Sequence, residues 1–201
     1  MHLRLYGITM AVIIFISIIK SYCSRITVTF PVGTVGWVTQ LVVSRYQRKR
    51  YIATSLLQCF KESFTTEGIT AIGLVSSHPA ACDVLAKYAR MWPFPPLNMI
   101  LTLFCCLDTP IHSVDTAFCK LHAQTILKTS TVDYVKNMEL RGSLFKDNCT
   151  TGAVSSVFTS FYVDHTEPLE ALEKYKAEDG WVLGELLDGH EFLIILPTGA
   201  N

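Results

Sequence analysis

Three stretches of the chain carry the clearest patterning of apolar and polar positions. In the first, the apolar run WVTQLVV from Trp37 to Val43 is followed by the polar SRYQRKR, and Ile52, Leu56, Leu57 and Phe60 then recur at helical spacing. A run of that length reads as a strand, and the recurrence puts the later side chains on one face of a helix. The second, GITAIGLVSSHPAACDVLAKYA, predicts a buried strand over Ile69 to Val75 and a helix opening at Ser77 or His78. Pro79 suits the first helical turn, because the amide hydrogen it lacks would have no intrahelical partner there. Two consecutive strand–helix units set their strands side by side and parallel, the pattern of an α/β layer.

The third stretch is C-terminal. GAVSSVFTSFYVDH reads as a strand, Thr166 and Pro168 open the short helix PLEALEKYKA, Gly180 closes it, and HEFLIILP is a last strand. The fold class is therefore α/β, with a mixed central sheet and flanking helices. From Arg90 to Asn148 the pattern is less regular: MWPFPP interrupts the chain, LNMILTLFCCL suits a strand or a buried helix, and SVDTAFCKLHAQTILKTS and STVDYVKNMEL read as capped helices. Residues 90–150 are expected to form a mainly helical insertion packed on the core.

Residues 1–24 stand apart. The uncharged LYGITMAVIIFISII, from Leu5 to Ile19, is shorter than the roughly 20 apolar residues of a spanning helix. Its β-branched content suits a buried strand, with a core helix the other folded reading. Membrane association through residues 5–19, a signal segment lacking an A-x-A-like cleavage site, and a gene-model artefact stay open beside these. Residues 25–201 are read as one domain, since folds of about 150 residues already bury roughly 70% of their unfolded surface.

Composition narrows the partners. Half the residues are hydrophobic and 17% are charged, and 17 basic side chains balance 17 acidic ones. No global field is left to draw in nucleic acid or an acidic membrane, so electrostatic recognition has to be local. The 7 cysteines are odd in number and several lie in apolar runs, which points to small hydrophobes in a reducing, cytoplasmic setting; membrane association through residues 5–19 is the alternative. The Asn148 sequon NCT matters only in a secreted chain.

Candidate chemistry is sparse. Arg45, Arg48, Lys49 and Arg50 sit where a strand ends and a helix starts, where free backbone amides and the helix dipole favour an anion; a solvated turn is the plain alternative. Neither a G-x-x-x-x-G-K-[ST] loop nor a G-x-G-x-x-G turn is present. Cys105, Cys106, His112, Cys119 and His122 lack paired C-x-x-C spacing, so they read as buried thiols and surface histidines and no metal site is assigned. Ser76, Ser77, His78 and Cys82 lack a G-x-S-x-G elbow, and His78 before Pro79 reads as a helix-start residue.

Taken together, Val35 to Ala89 resembles the GNAT superfamily of acetyl-CoA-dependent N-acetyltransferases, and the C-terminal strands do so more loosely. Members carry a strand whose end pairs with pantetheine, then a [QR]-x-x-G-x-[GA] turn whose amides hold the pyrophosphate. In RKRYIA, Arg48 takes the first position, Tyr51 the glycine and Ala53 the last. In the next helix, often N-x-x-A-x-x-L-Y, the stretch HPAACDVL puts His78 at the asparagine, Ala81 at the alanine and Leu85 at the tyrosine that protonates the departing thiolate; Tyr88 lies nearly a turn further on.

The resemblance implies a GNAT-like acyl-CoA N-acyltransferase fold, incomplete at the N-terminus (truncated or divergent), with the GNAT-like domain over 25–201. It implies acetyl-CoA as co-substrate, direct transfer of the acetyl group to an unidentified amine, and cofactor contacts at Leu41, Val42, Val43, Arg48, Lys49, Arg50, Tyr51, Ile52, Ala53, Thr54 and His78. No motif places a catalytic side chain. Because a glycine admits close backbone approach that Tyr51 does not, a catalytically impaired CoA- or protein-binding module is the alternative.

Overall fold

The computed structural model describes residues 13–20 (backbone only), 34–43, 46, 48, 52–54, 56–57, 69–90, 111–130, 132–178 and 180–198. Their strands are β1 (Ile13–Lys20), β2 (Thr34–Val42), β3 (Ile69–Ser76), β4 (Glu139–Arg141), β5 (Ser156–Phe158) and β6 (His190–Pro197). The helices are α1 (Pro79–Arg90), α2 (Ala117–Thr129), α3 (Asp133–Lys136) and α4 (Thr166–Ala177), with residues 52–54 and 56–57 also helical. One mixed sheet of 6 strands runs in the order β1-β2-β3-β6-β5-β4. Only β2 and β3 pair in parallel among the described strands; the rest are antiparallel.

The alternation within β6 explains the layers. Phe192, Ile194 and Leu196 face one core with Ile72, Leu74, Leu57, α1 and Leu172 of α4, whereas Leu193 and Ile195 face a second core with Val35, Trp37, Ala71 and α2. A strand buried on both faces needs apolar residues at consecutive positions, and FLIIL supplies them. Helix α4 is tied to α1 by the Tyr175 hydroxyl, which donates to Asp83 at 3.3 Å, and Lys87 pairs with the same carboxylate at 3.0 Å.

Several sequence expectations change. Ile13–Lys20 adopts the strand alternative, antiparallel to β2, and the rest of residues 1–24 lies outside the described residues. No described helix is long and apolar enough to cross a membrane. The C-terminal strand read through 152–165 shrinks to Ser156–Phe158, because Ser160 takes a left-handed φ of 57° and turns the chain. STVDYVKNMEL is helical only over Asp133–Lys136; Glu139–Arg141 pairs with β5 as a sheet edge, so the expected insertion adds a strand to its helices. Helix α4 does open at Thr166 as read, and Asp164 just before it accepts from the Thr166 amide at 2.9 Å and hydroxyl at 2.6 Å.

Candidate functional site

The parallel pair opens at its carboxyl end. β2 and β3 pair from Thr34↔Ile69 to Val38↔Leu74, after which β2 runs on to Val42 beside β1 and β3 runs on to Ser76 beside β6. Gln40 of β2 sits opposite Phe15 and Val38 opposite Ile16, so Thr39 is the extra residue of a β-bulge. A bulge advances the strand by one residue against its neighbour and inverts the phase of all that follows. Leu41 therefore packs on the first core rather than the second with Trp37, and Val42 is left 47% exposed. The helical residues 52–54 and 56–57 follow β2 and α1 follows β3 at this end, where the amides of a first helical turn lack intrahelical partners.

Of the residues expected here, Val43, Arg48 and His78 come together. The Arg48 Nε donates to the Val43 carbonyl at 3.1 Å, and its guanidinium pairs with Glu167 in the first turn of α4. Both side chains of that pair are exposed, so it contributes at most about 1 kcal/mol. The His78 amide donates to Ser76 Oγ at 3.1 Å, and His78 Nδ1 accepts from the Ala80 amide at 3.2 Å. An accepting Nδ1 puts the proton of the neutral ring on Nε2, which is buried without a hydrogen-bond partner among the described residues. Burial, and then the Arg48 charge, hold the His78 pKa below its ordinary value against the opposing pull of Glu167. Ile52 and Ala53 are half-buried and Thr54 is buried in the helical segment after the turn, while Lys49, Arg50 and Tyr51 lie outside the described residues.

A second set of polar groups at the same end of the sheet has no sequence motif. Glu191, at the start of β6, is half-buried and follows His190, beside the end of β3. Burial raises its pKa, while the Thr159 hydroxyl, the nearby His165 and the Ser77 amide oppose the rise. Thr159 Oγ1 and His165 Nε2 are buried and, like His78 Nε2, do not reach hydrogen-bond geometry with any described residue.

No family model, curated protein or solved structure matches the chain.

The remaining candidates are structural. Leu85 and Tyr88 are fully buried in the first core, and burial pushes the Tyr88 phenol upward. Burial also raises Cys82, and it pushes Cys119 up to about 11; the Cys119 thiol lies 3.9 Å from Ser155 Oγ. His122 packs on Phe118 with ring centroids 4.6 Å apart, and Cys105 and Cys106 lie outside the described residues. Glu167, Thr159, His165 and Glu191 were invisible to sequence reasoning as site residues; the acidic residue in the first turn of α4 was the one local signal.

Proposed function

We propose that the protein is a GNAT-like N-acetyltransferase that uses acetyl-CoA and acetylates an amine by direct attack. The observation that carries this reading is the parallel β2–β3 pair that parts beyond Val38↔Leu74, with a bulge at Thr39 and a helix starting behind each strand. Backbone groups facing a gap between diverging strands suit an extended amide-bearing chain such as pantetheine, which pairs with main chain as a further strand would. Arg48 at the turn suits a pyrophosphate, and the chemistry of this set fits the cofactor: amides, one described cation and an apolar edge at Leu41 and Val42. His78, as the cap of α1, borders the same opening.

In the proposed reaction the neutral amine nitrogen forms a bond to the thioester carbonyl carbon, the C–S bond breaks, and the electron pair leaves on sulfur. Main-chain amides at the end of β2 polarise the carbonyl oxygen.

A second reading, a CoA-binding module without turnover, is favoured by α1. Leu85 stands at the family's tyrosine position and Tyr88 is fully buried, so no described hydroxyl of that helix is displayed to protonate a thiolate. Titration calorimetry with acetyl-CoA, followed by thiol release with a panel of amines, separates the two. Heat without thiol release selects the second reading, and no heat at millimolar ligand removes both.

A further inference from the structure

Between helices α1 and α4 lies a cavity of about 410 Å³, a volume within the range of small-molecule sites. Its lining includes Asp83 and Lys87 of α1, Lys174, Tyr175 and Glu178 at the carboxyl end of α4, and Ile111 of the 3-10 turn Ile111–Ser113. It shares no lining residue with the opening between β2 and β3.

Asp83 is 7% exposed, and its bonds to the Tyr175 hydroxyl, at 3.3 Å, and to Lys87, at 3.0 Å, both end on Oδ2. Oδ1 has no hydrogen-bond partner among the described residues, which leaves that oxygen for a donor from a ligand. Burial, and then the Asp83 charge, raise the Tyr175 pKa, so the phenol stays a donor through the neutral range. Lys174 and Glu178 are exposed, and neither enters an ion pair among the described residues.

The charges of this lining cancel, Lys87 and Lys174 against Asp83 and Glu178. A ligand of one sign would leave half of them unmatched, whereas an ammonium and a carboxylate on the same carbon meet both. The end of α4 adds to the ammonium side, because terminal carbonyls and the helix dipole favour a cation there. The buried Ile111 and the Tyr175 ring supply apolar surface for a side chain.

We propose that this cavity binds a free α-amino acid with an apolar side chain, its ammonium on Asp83 Oδ1, its carboxylate on Lys174 and its side chain against Ile111 and Tyr175. The Asp83–Tyr175 bond already ties α1 to α4, so an occupant fastens the same two helices and stabilises the fold by mass action. The site is independent of the acetyltransferase reading and takes no part in its chemistry.

The test is calorimetric binding of L-leucine, 4-methylpentanoate and 3-methylbutylamine to the full chain. These present one side chain with both charges, the carboxylate alone and the ammonium alone. Leucine is expected to bind at least about 10-fold more tightly than either analogue, in the range of one charge-assisted hydrogen bond, and to raise the thermal midpoint at saturation. Asp83→Asn is expected to abolish the preference over 4-methylpentanoate, and Lys174→Gln the preference over 3-methylbutylamine. Lys174 is exposed, so its replacement leaves the fold intact and decides the matter even where Asp83→Asn fails to fold. No leucine binding at millimolar concentration, equal binding of the three compounds, or an unaltered preference in either folded variant overturns the inference. Acetyl-CoA affinity is expected to be the same in wild type and Lys174→Gln, so the acetyltransferase reading stands or falls separately.

Discussion

Gly73 lies in the middle of β3, opposite Trp37 on β2 and Ile195 on β6, one pair before β2 and β3 part. A Cβ built on it would lie 2.5 Å from Trp37 Cε3 and 3.3 Å from Cη2, and the indole is fully buried. Neither neighbouring strand leaves the backbone room to shift, so Gly73→Ala has to displace the indole in the second core. Overpacking of that kind costs about 1–3 kcal/mol, and the stiffer unfolded chain returns roughly 0.4–1 kcal/mol, which leaves a net loss of about 1–2 kcal/mol. Urea unfolding followed by tryptophan fluorescence reads this as a lowered midpoint at constant slope. The decisive arm is the cycle with Trp37→Leu: in that background the clash is gone, and Gly73→Ala becomes neutral or mildly stabilising. An equal cost in both backgrounds would refute the claim that the glycine is there for the indole.

Three further outcomes are expected. Glu167→Gln releases Arg48 from its carboxylate and tightens acetyl-CoA a few-fold, whereas Arg48→Ala weakens it about 10-fold, in the range of one charge-assisted bond; equal affinities in calorimetry would remove Arg48 from the phosphate site. Because the folded-state pKa of His78 lies below its unfolded value, the unfolded chain binds more protons, and stability present above about pH 6.5 is lost as pH falls through the window below it. His78→Asn, which retains a capping side chain, flattens that decline in denaturation midpoints, although His122, also lowered by burial, leaves part of it. Among the described cysteines, Cys149 has a pKa lowered first by the Thr151 hydroxyl, 3.1 Å from its sulfur, so iodoacetamide labels it before the buried Cys82 and Cys119; Thr151→Val slows that labelling, and mass spectrometry showing the reverse order would contradict the assignment.

What the sequence disclosed is what depends on local pattern. The β3–α1 unit was legible because ITAIGLV is apolar at consecutive positions and His78-Pro79 punctuates the helix start, as the His78 cap on the Ala80 amide bears out. Over 152–165 pattern misled: the stretch reads as one long strand, yet only Ser156–Phe158 pairs, fastened by the Ser155 and Ser156 hydroxyls, which donate to the Leu193 and Glu191 carbonyls. MEL has good helix formers, but Leu140 opposite Val157 gains more as an edge strand over the second core. The Thr39 bulge has no local signature at all, because a register is a property of two strands. Arg48 could be nominated from its turn; Glu167 could not, since it approaches Arg48 from 119 residues away in the chain.

His78 Nε2 connects the unsatisfied polar groups of the interior with the Arg48 turn. Some interior polar side chains are provided for: Ser155 Oγ donates to Leu193 at 2.6 Å, and Thr198 Oγ1 to Ile69 at 2.6 Å. Others, in several parts of the fold, are cut off from water without a hydrogen-bond partner among the described residues: His78 Nε2, Thr159 Oγ1, His165 Nε2, Trp37 Nε1 and Arg141 Nε. Each such group costs about 1–3 kcal/mol, a penalty that an apolar residue of similar size would avoid. Of these, His78 is the residue whose ring feels the Arg48 charge. A ligand acceptor that reaches the Arg48 turn and His78 Nε2 together would recover that cost on binding.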